Sequence, residues 1–552
     1  MPPLVVDRTE CVRTIESSAV SHLIQIHAAN GDLPWANLIP ALENLLPVRF
    51  RISADPNAER SGDIAFENVS IGRGRDHTAA VPELRIPHHE PAPQDSRLTE
   101  VKIIFAIHPM VPPPFRGRSI RAKVAVPPRI LPVNGNETVL AQSDQGPLWT
   151  VSLQGRARRF RSAFTIPVIP SGGGFQDVLN ATRFVEMLPL LHYLRELDSA
   201  NAFQDPPLRA CFMFDDPNLH WPRYGFVDFQ QMAAHAEANH YHVAFATIPL
   251  DTWYTHATAA AIFRNHPDRL SLVVHGNDHT RKELAREYTL PRRTSLLGQA
   301  IRRIERIERK RGLSVCRVMV PPHGACSEEM LAALPDFGFE AACISHGSLR
   351  AHNRDKHWAG YLGYLPSECI QGCPVLPRWG MVGIDTSTIL LAAYLGQPII
   401  LRGHHQDLKH GLELLSQHAA LINGLGSVSW SNMSHLCRMN YQWRMNGNQC
   451  RVKPLSRKIT FPVPASSTRL VIEDSGLEGQ TDWQLSDSNG ILVQARTGED
   501  ISLTDKFHGQ LSIMATPNSC FPRRNGTAGP ASLALLRRLL TEGRDRFFVT
   551  HN

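Results

Sequence analysis

The sequence predicts an α/β protein built on βαβ units, with a mixed β-rich region before them and a small antiparallel β unit after them. Three observations carry this. Between about 205 and 445, apolar runs at 208–214, 242–248, 270–275, 315–320, 339–344 and 398–402 alternate with segments of helical periodicity. That is the pattern of parallel strands joined by helices around a sheet, open or closed. From about 450 to 515 the pattern shifts to period two in KITFPV, TRLVIED, ILVQA and QLSIMA, which suits half-buried antiparallel strands. A chain of 552 residues also exceeds what a single core sustains.

Taken in order, residues 1–200 form the β-rich region. A helix is expected near 15–28 and a surface loop at IPHHEPAPQDSR (86–97). VKIIFAIHP and SIRAKVAVPP read as strands whose prolines place them at edges or ends. SGGG (171–174) is flexible punctuation, and 175–197 reads as a helix kinked at Pro189. Residues 201–447 hold the βαβ units. Within them Leu297, Ile301 and Ile304 share a helix face just before RRIERIERKRG (302–312), and Gly312 is placed to cap that helix. Residues 448–552 carry the β unit, followed by a helix around 531–543.

Composition narrows the function classes. With 42% hydrophobic and 20% charged residues the chain is an ordinary globular sequence. It holds no apolar run near the roughly 20 residues a bilayer span needs, so no membrane role is expected. The opening MPPLVVDRTECVRTIESS lacks a basic flank followed by an apolar block, which makes a cytoplasmic location the expectation. Ten cysteines are too sparse for a disulfide scaffold; the CxxxC pair Cys369 and Cys373 is weak evidence for metal, and Cys211 reads as core. The net charge is +7, but its densest basic stretch is interleaved with glutamates. It reads as a solvated helix face, and nucleic acid is not an expected partner.

In parallel α/β sheets, reacting groups gather at the carboxyl ends of strands. The first predicted strand exits into FMFDDPNLHWPRYG, placing Asp215 and Asp216 side by side where like charges repel unless a cation lies opposite. The third exits into His275 and His279, four apart, so that on a helical turn both rings face one way and can share a metal. With 26 histidines such a spacing is unremarkable alone. Its weight comes from lying at an exit of the same sheet as the aspartate doublet. Two histidines and a carboxylate make a site with open positions for water and substrate. The fourth exit supplies His323, and the last supplies His404 and His405 in PIILRGHHQDL. Asp407 orients one of those histidines or caps the following helix.

FDDPN, HGNDH, the PPHG turn and the late HH segment occur in the order of the polysaccharide deacetylase family, the NodB-homology group of carbohydrate esterases. Over about 205–445, somewhat under half the chain, the sequence resembles a divergent member of it. The resemblance implies a distorted (β/α) barrel. It implies a divalent metal, zinc first, on Asp216, His275 and His279, with Asp215 as catalytic base. It implies a histidine acid from LRGHH, with His404 ahead of His405, and an oxyanion-stabilising backbone at His323. Two departures stand out. The family's third motif carries an arginine that orients the aspartate, where this chain has Val320; Arg317 lies too early, whereas Arg378 in VLPRWG supplies a charge from another loop. The family's fourth motif pairs an aspartate with a tryptophan, and here Trp379 has no matching acid.

The residue types fit N-acyl hydrolysis independently: a divalent cation activates water and polarises a carbonyl, a carboxylate accepts a proton, and a histidine donates one near neutrality. The aromatic residues Trp221, Tyr224, Trp253, Tyr254 and Trp379 near strand exits are candidates for stacking on sugar rings. The leading expectation is metal-dependent deacetylation of an amino sugar or polysaccharide. The same machinery acting on another non-peptide C–N bond (amide, imide or ureide) is the first alternative. A non-catalytic carbohydrate-binding protein on a decayed barrel is the second. The expected partner is a carbohydrate or small N-acyl substrate, and a homo-oligomer stays open.

Overall fold

The computed structural model describes residues 22–27, 33–52, 61–66, 81–87, 98–155, 157–197, 202–474, 476–477, 482–488, 490, 492–503, 509–516 and 532–544. The chain divides into two compact units, one of residues 1–103, 123–171 and 185–200, the other of 104–122, 172–184 and 201–552.

A nine-stranded sheet lies largely in the first unit. Its order is Val48–Ile52, His22–His27, Gly62–Phe66, Glu83–Ile86, Ala157–Ser162, Pro147–Gln154, Glu137–Gln142, Thr99–Phe105 and Ser119–Val124. The first five pair in parallel. The helix expected near 15–28 is not found: residues 22–27 are a strand, and the rest of that stretch lies outside the described residues. Leu23, Ile24 and Ile26 do fit a helix face, but parallel neighbours on both sides bury Ile24 and Ile26 completely and Gln25 and His27 almost so. Pairing on both edges overrides a short ambiguous run. Of the loop expected at 86–97, residues 88–97 lie outside the described residues. The strands read in VKIIFAIHP and SIRAKVAVPP are present. The helix expected over 175–197 begins only at Phe184 and runs to Leu197 with Pro189 inside it.

His192 on that helix is buried, with its ring edge-on to Trp149 and Phe160. Burial, helped by Arg195 and Arg158, pushes its pKa down to about 4. The unfolded chain therefore takes up this proton first as pH falls. The stability tied to neutral His192 is complete above about 6.5 and is lost as pH drops toward 4, about 3 kcal/mol in all. His192→Phe is expected to flatten the pH dependence of unfolding across that window, read by thermal denaturation at a series of pH values.

The second unit is built on a mostly parallel sheet. In chain order its strands are β1 (Arg209–Asp215), β2 (Val243–Thr247), β3 (Leu270–His275), β4 (Val315–Val320), β5 (Ala341–Cys343), β6 (Glu368–Ile370), β7 (Cys373–Leu376), β8 (Trp379–Gly380), β9 (Ile399–Gly403) and β10 (Ser429–Trp430). They run in the order β6-β7-β5-β4-β3-β2-β1-β9-β8, with β10 also pairing with β1. Only β6 and β7 pair antiparallel. The six predicted strands all appear within two residues of their expected ends. The sheet is an open path among the described residues, with no pairing between its edge strands, so the expected barrel is not closed.

Successive residues on a strand face opposite sides, and both sides here are covered. Phe212 and Phe214 join the larger core, which takes in the inner faces of α1 (Phe229–Ala238), α2 (Ala257–Asn265), α3 (Leu290–Arg311), α4 (Thr386–Tyr394) and α5 (Glu413–Asn423). Cys211 and Met213 point to a second cluster of small residues, Ala244, Ala246, Cys316 and Cys343 among them, capped by Met433, Leu436 and Cys437. Double-sided burial is why β1 reads as a continuous apolar run. Arg209, its exception, is fully buried and donates to the carbonyls of Pro207 and Gly396 and to Asn440 Oδ1. Gly312 caps α3 with φ 63°, the left-handed conformation glycine adopts freely. All eight described cysteines are free thiols, seven of them buried.

Two four-stranded sheets follow, built from Tyr441–Asn446, Gln449–Pro454, Arg469–Ile472 and Asp500–Ser502, and from Lys458–Pro462, Gln510–Ala515, Asp482–Ser486 and Leu492–Arg496. Phe461 and Trp483 lie in the core between them. The period-two runs are strands as expected, but the unit is not purely antiparallel. Gln449–Pro454 and Arg469–Ile472 pair in parallel because the chain between them crosses into the other sheet. The terminal helix α6 (Ser532–Gly543) is present.

Candidate metal centre

Asp215 is the last residue of β1 and is buried; Asp216 follows it with φ 81°. In a regular strand the two carboxylates would point to opposite faces. The left-handed turn at Asp216 lets both line one cavity of about 590 Å³. Three of the six described non-glycine residues with positive φ are at this cavity: Asp216, His279 (54°) and His323 (58°). Such conformations cost energy and cluster where function holds them.

His275 ends β3, and the register between β3 and β4 slips just before it, so that His275 lies opposite Val320. Its Nδ1 is 2.8 Å from the Val320 carbonyl oxygen. Nδ1–H must donate there, which leaves Nε2 as a lone pair. That Nε2 lies 3.7 Å from Asp216 Oδ1, and His279 Nε2 lies 3.0 Å from the same oxygen. The ligand atoms of Asp216, His275 and His279 fall within 4.8 Å of one another. Asp216 Oδ1 is buried and makes no hydrogen bond of regular geometry among the described residues. A lone pair and a carboxylate oxygen facing each other at this range repel unless a cation lies between them. The donor set therefore fits a divalent ion of the zinc type.

Charge states agree. Burial pushes the His275 pKa down to about 4, leaving it neutral as a ligand must be. Burial resists ionisation of Asp216, but the nearby His279, with His275 and Arg538, holds it well below the usual carboxylate range. Burial also resists ionisation of Asp215, yet Arg378, then His275, keep it below that range. Arg378 Nη1 lies 2.8 Å and 3.0 Å from the two oxygens of Asp215, with both side chains buried. The charge missing at Val320 is thus supplied from the loop after β7.

His323 lines the cavity, its ring 4.9 Å from that of His279, and burial lowers its pKa. His404 and His405 also line it, but differently. His405 is buried, edge-on to Tyr224 and stacked with Phe226. His404 is half-buried, its N–H held by Asp407 Oδ2 at 2.8 Å. Asp407 thereby caps the turn His405–Leu408 rather than orienting an imidazole. The expected aromatic rim is not at this cavity. Tyr224 is fully buried in the core because its ring packs on His405. Trp379 packs against the same core from β8. Trp221 is exposed and stacks on His256, while Trp253 and Tyr254 sit beside His220. None of the five is among the lining residues.

Sequence reasoning missed several groups. Glu283, buried, accepts the N–H of Asn277 and of Asp278 at 2.8 Å each and so shapes the loop that carries His279. Arg303 ties Asn277 and Asp278 from α3. Arg538 of α6 pairs with Asp251 at 2.7 Å, and Glu542 with His220 at 2.8 Å, which places α6 at the cavity wall. Nothing in LLRRLLTEG signals this docking. One signal was readable: the glycine of HGNDH. Gly276 has φ +61°, and a Cβ there would lie 2.5 Å from Glu283 Oε2 and 2.5 Å from Pro322 Cγ. Gly276→Ala is expected to destabilise the fold by about 1–3 kcal/mol, measured by urea unfolding.

No family model and no curated protein matches this chain. Among solved structures, it is similar to the carbohydrate deacetylase Agd3 over 90% of its own length and 99% of that chain, at 9% identity and a TM-score of 0.48. It is similar to a mutant of BA3943, a CE4 family pseudoenzyme with restored enzymatic activity, over 42% and 68%, at 11% identity and a TM-score of 0.27. A family 4 carbohydrate esterase from Streptomyces lividans is matched over 42% and 95%, at 13% identity and a TM-score of 0.26. The solved structures this chain resembles include carbohydrate and polysaccharide deacetylases and CE4 family pseudoenzymes, at low identity and, in two of these three cases, over less than half its length.

Proposed function

We propose that the chain is a hydrolase that uses a divalent cation, zinc first, to remove an N-acyl group, with acetyl on an amino sugar as the leading substrate. The observation that carries this is the convergence of Asp216, His275 and His279 beside an arginine-paired Asp215. Asp216, His275 and His279 would hold the ion. When bound, it lowers the pKa of water and polarises an amide carbonyl. Asp215, kept ionised by Arg378, accepts the proton of the attacking water. His404, the less buried of the two late histidines, protonates the departing amine. His323 stands beside His279, where its backbone would face the developing oxyanion.

Chelator treatment is expected to abolish acetate release from chito-oligomers, and zinc to restore it. A parallel panel of cyclic amides and ureides separates deacetylation from cleavage of another C–N bond. Protein that binds one ion per chain yet turns over nothing in either panel would defeat the hydrolase reading and favour a carbohydrate-binding role.

A further inference from the structure

We infer that the substrate carries a negative charge near the scissile amide, and that Arg402 of β9 and Arg537 of α6 select it. This rests on the reading of the cavity as an amide-hydrolysing centre and goes on to its substrate class. Five arginines line the cavity: Arg378, Arg402, Arg537, Arg538 and Arg544. The lining carboxylates are Asp215 and Asp216. Arg378 is matched by Asp215 and Arg538 by Asp251, in buried pairs. Arg402 and Arg537 have no carboxylate partner among the described residues. Arg402 is half-buried where β9 leaves the sheet. Arg537 spends one nitrogen on main-chain carbonyls, those of His279 and, at 3.3 Å, Asp278.

With Arg378 and Arg538 matched by Asp215 and Asp251 and a divalent ion matched by Asp216, Arg402 and Arg537 are left as lining cations with no carboxylate partner among the described residues. A neutral acetamido sugar calls for hydroxyl and amide partners, and it would leave such cations partly desolvated without compensation. A carboxylate or phosphate offsets them, and the guanidinium fork matches both geometrically. Helix α6 is suited to act as a fixed wall, because Arg538–Asp251 and Glu542–His220 anchor successive turns of it. Arg537 is therefore held next to the loop that carries His279.

The test uses zinc-loaded full-length chain and calorimetric binding of three probes: N-acetylglucosamine, its 6-phosphate, and N-acetylmuramic acid. At least one acidic probe is expected to bind about 10-fold or more tightly than the neutral sugar, with a preference that shrinks at high salt. The phosphate and carboxylate arms show which anion fits. Arg402→Gln and Arg537→Gln are each expected to cut the preference about fivefold or more. Arg402 lies on a strand and Arg537 on a surface helix, so the variants would fail to fold for different reasons and either one alone decides. Equal affinities, no binding of any probe, or a preference intact in both variants overturns the inference; the last outcome would mean the anion sits on the metal alone. Acetate release measured alongside keeps the two readings apart. Acidic preference without turnover sinks the hydrolase and leaves charge selection standing. Equal turnover of neutral and acidic sugars does the reverse.

Discussion

Asp215→Asn is expected to lower kcat by about 10²–10⁴-fold, the usual contribution of a positioned general base, while the protein still binds its metal. The amide is nearly isosteric; it removes the charge that accepts a proton and with it the buried counter-charge of Arg378, so unfolding is measured alongside turnover. Asp216, His275 and His279 keep their positions, so zinc stoichiometry measured by elemental analysis should stay at the wild-type value. Retained turnover in a correctly folded Asp215→Asn protein would assign the base elsewhere, and His323 would be the next residue to replace.

Arg378→Met is expected to cost about 3–5 kcal/mol of stability, because it leaves the buried carboxylate of Asp215 without its cation. Both side chains are under a tenth exposed, so water cannot take over the role. Asp215→Asn in the same chain should recover much of that loss, since the neutral amide tolerates burial better. A double-mutant cycle read by urea unfolding would give a coupling well above the 0.2–1 kcal/mol of exposed pairs. A cost below 1 kcal/mol for Arg378→Met would mean the pair is not what keeps Asp215 ionised. Activity should fall too, because burial then pushes the Asp215 carboxyl toward its neutral form.

What could be read from the sequence divides along physical lines. Strands β1 to β4 were legible because they are buried on both faces and so spell mostly apolar runs, two of which, β1 and β3, end at Asp215 and His275. Asp216, His275 and His279 were legible because they follow those runs directly. Arg378 was readable only as a candidate, since pairing across loops leaves no periodic trace. His22–His27 misled because a short apolar run fits helix and strand alike, and its flanking strands decide. Tyr224 and Trp379 misled because an aromatic ring near a strand exit packs inward as readily as it lines a cleft. Glu283 and the docking of α6 could not be found, because Glu283 holds main-chain N–H groups five and six positions away and α6 docks on side chains 287 and 322 positions away.

The bond from the His275 ring to the Val320 carbonyl has a consequence for mutagenesis. The group that fixes the imidazole tautomer belongs to the backbone, so every side-chain exchange at position 320 leaves it in place. An alanine scan through this strand would report lost packing and not this bond, and so invite the conclusion that the histidine is unsupported. The dependence is written into the path of the chain rather than into any codon, and only chemistry that alters the peptide group itself could expose it.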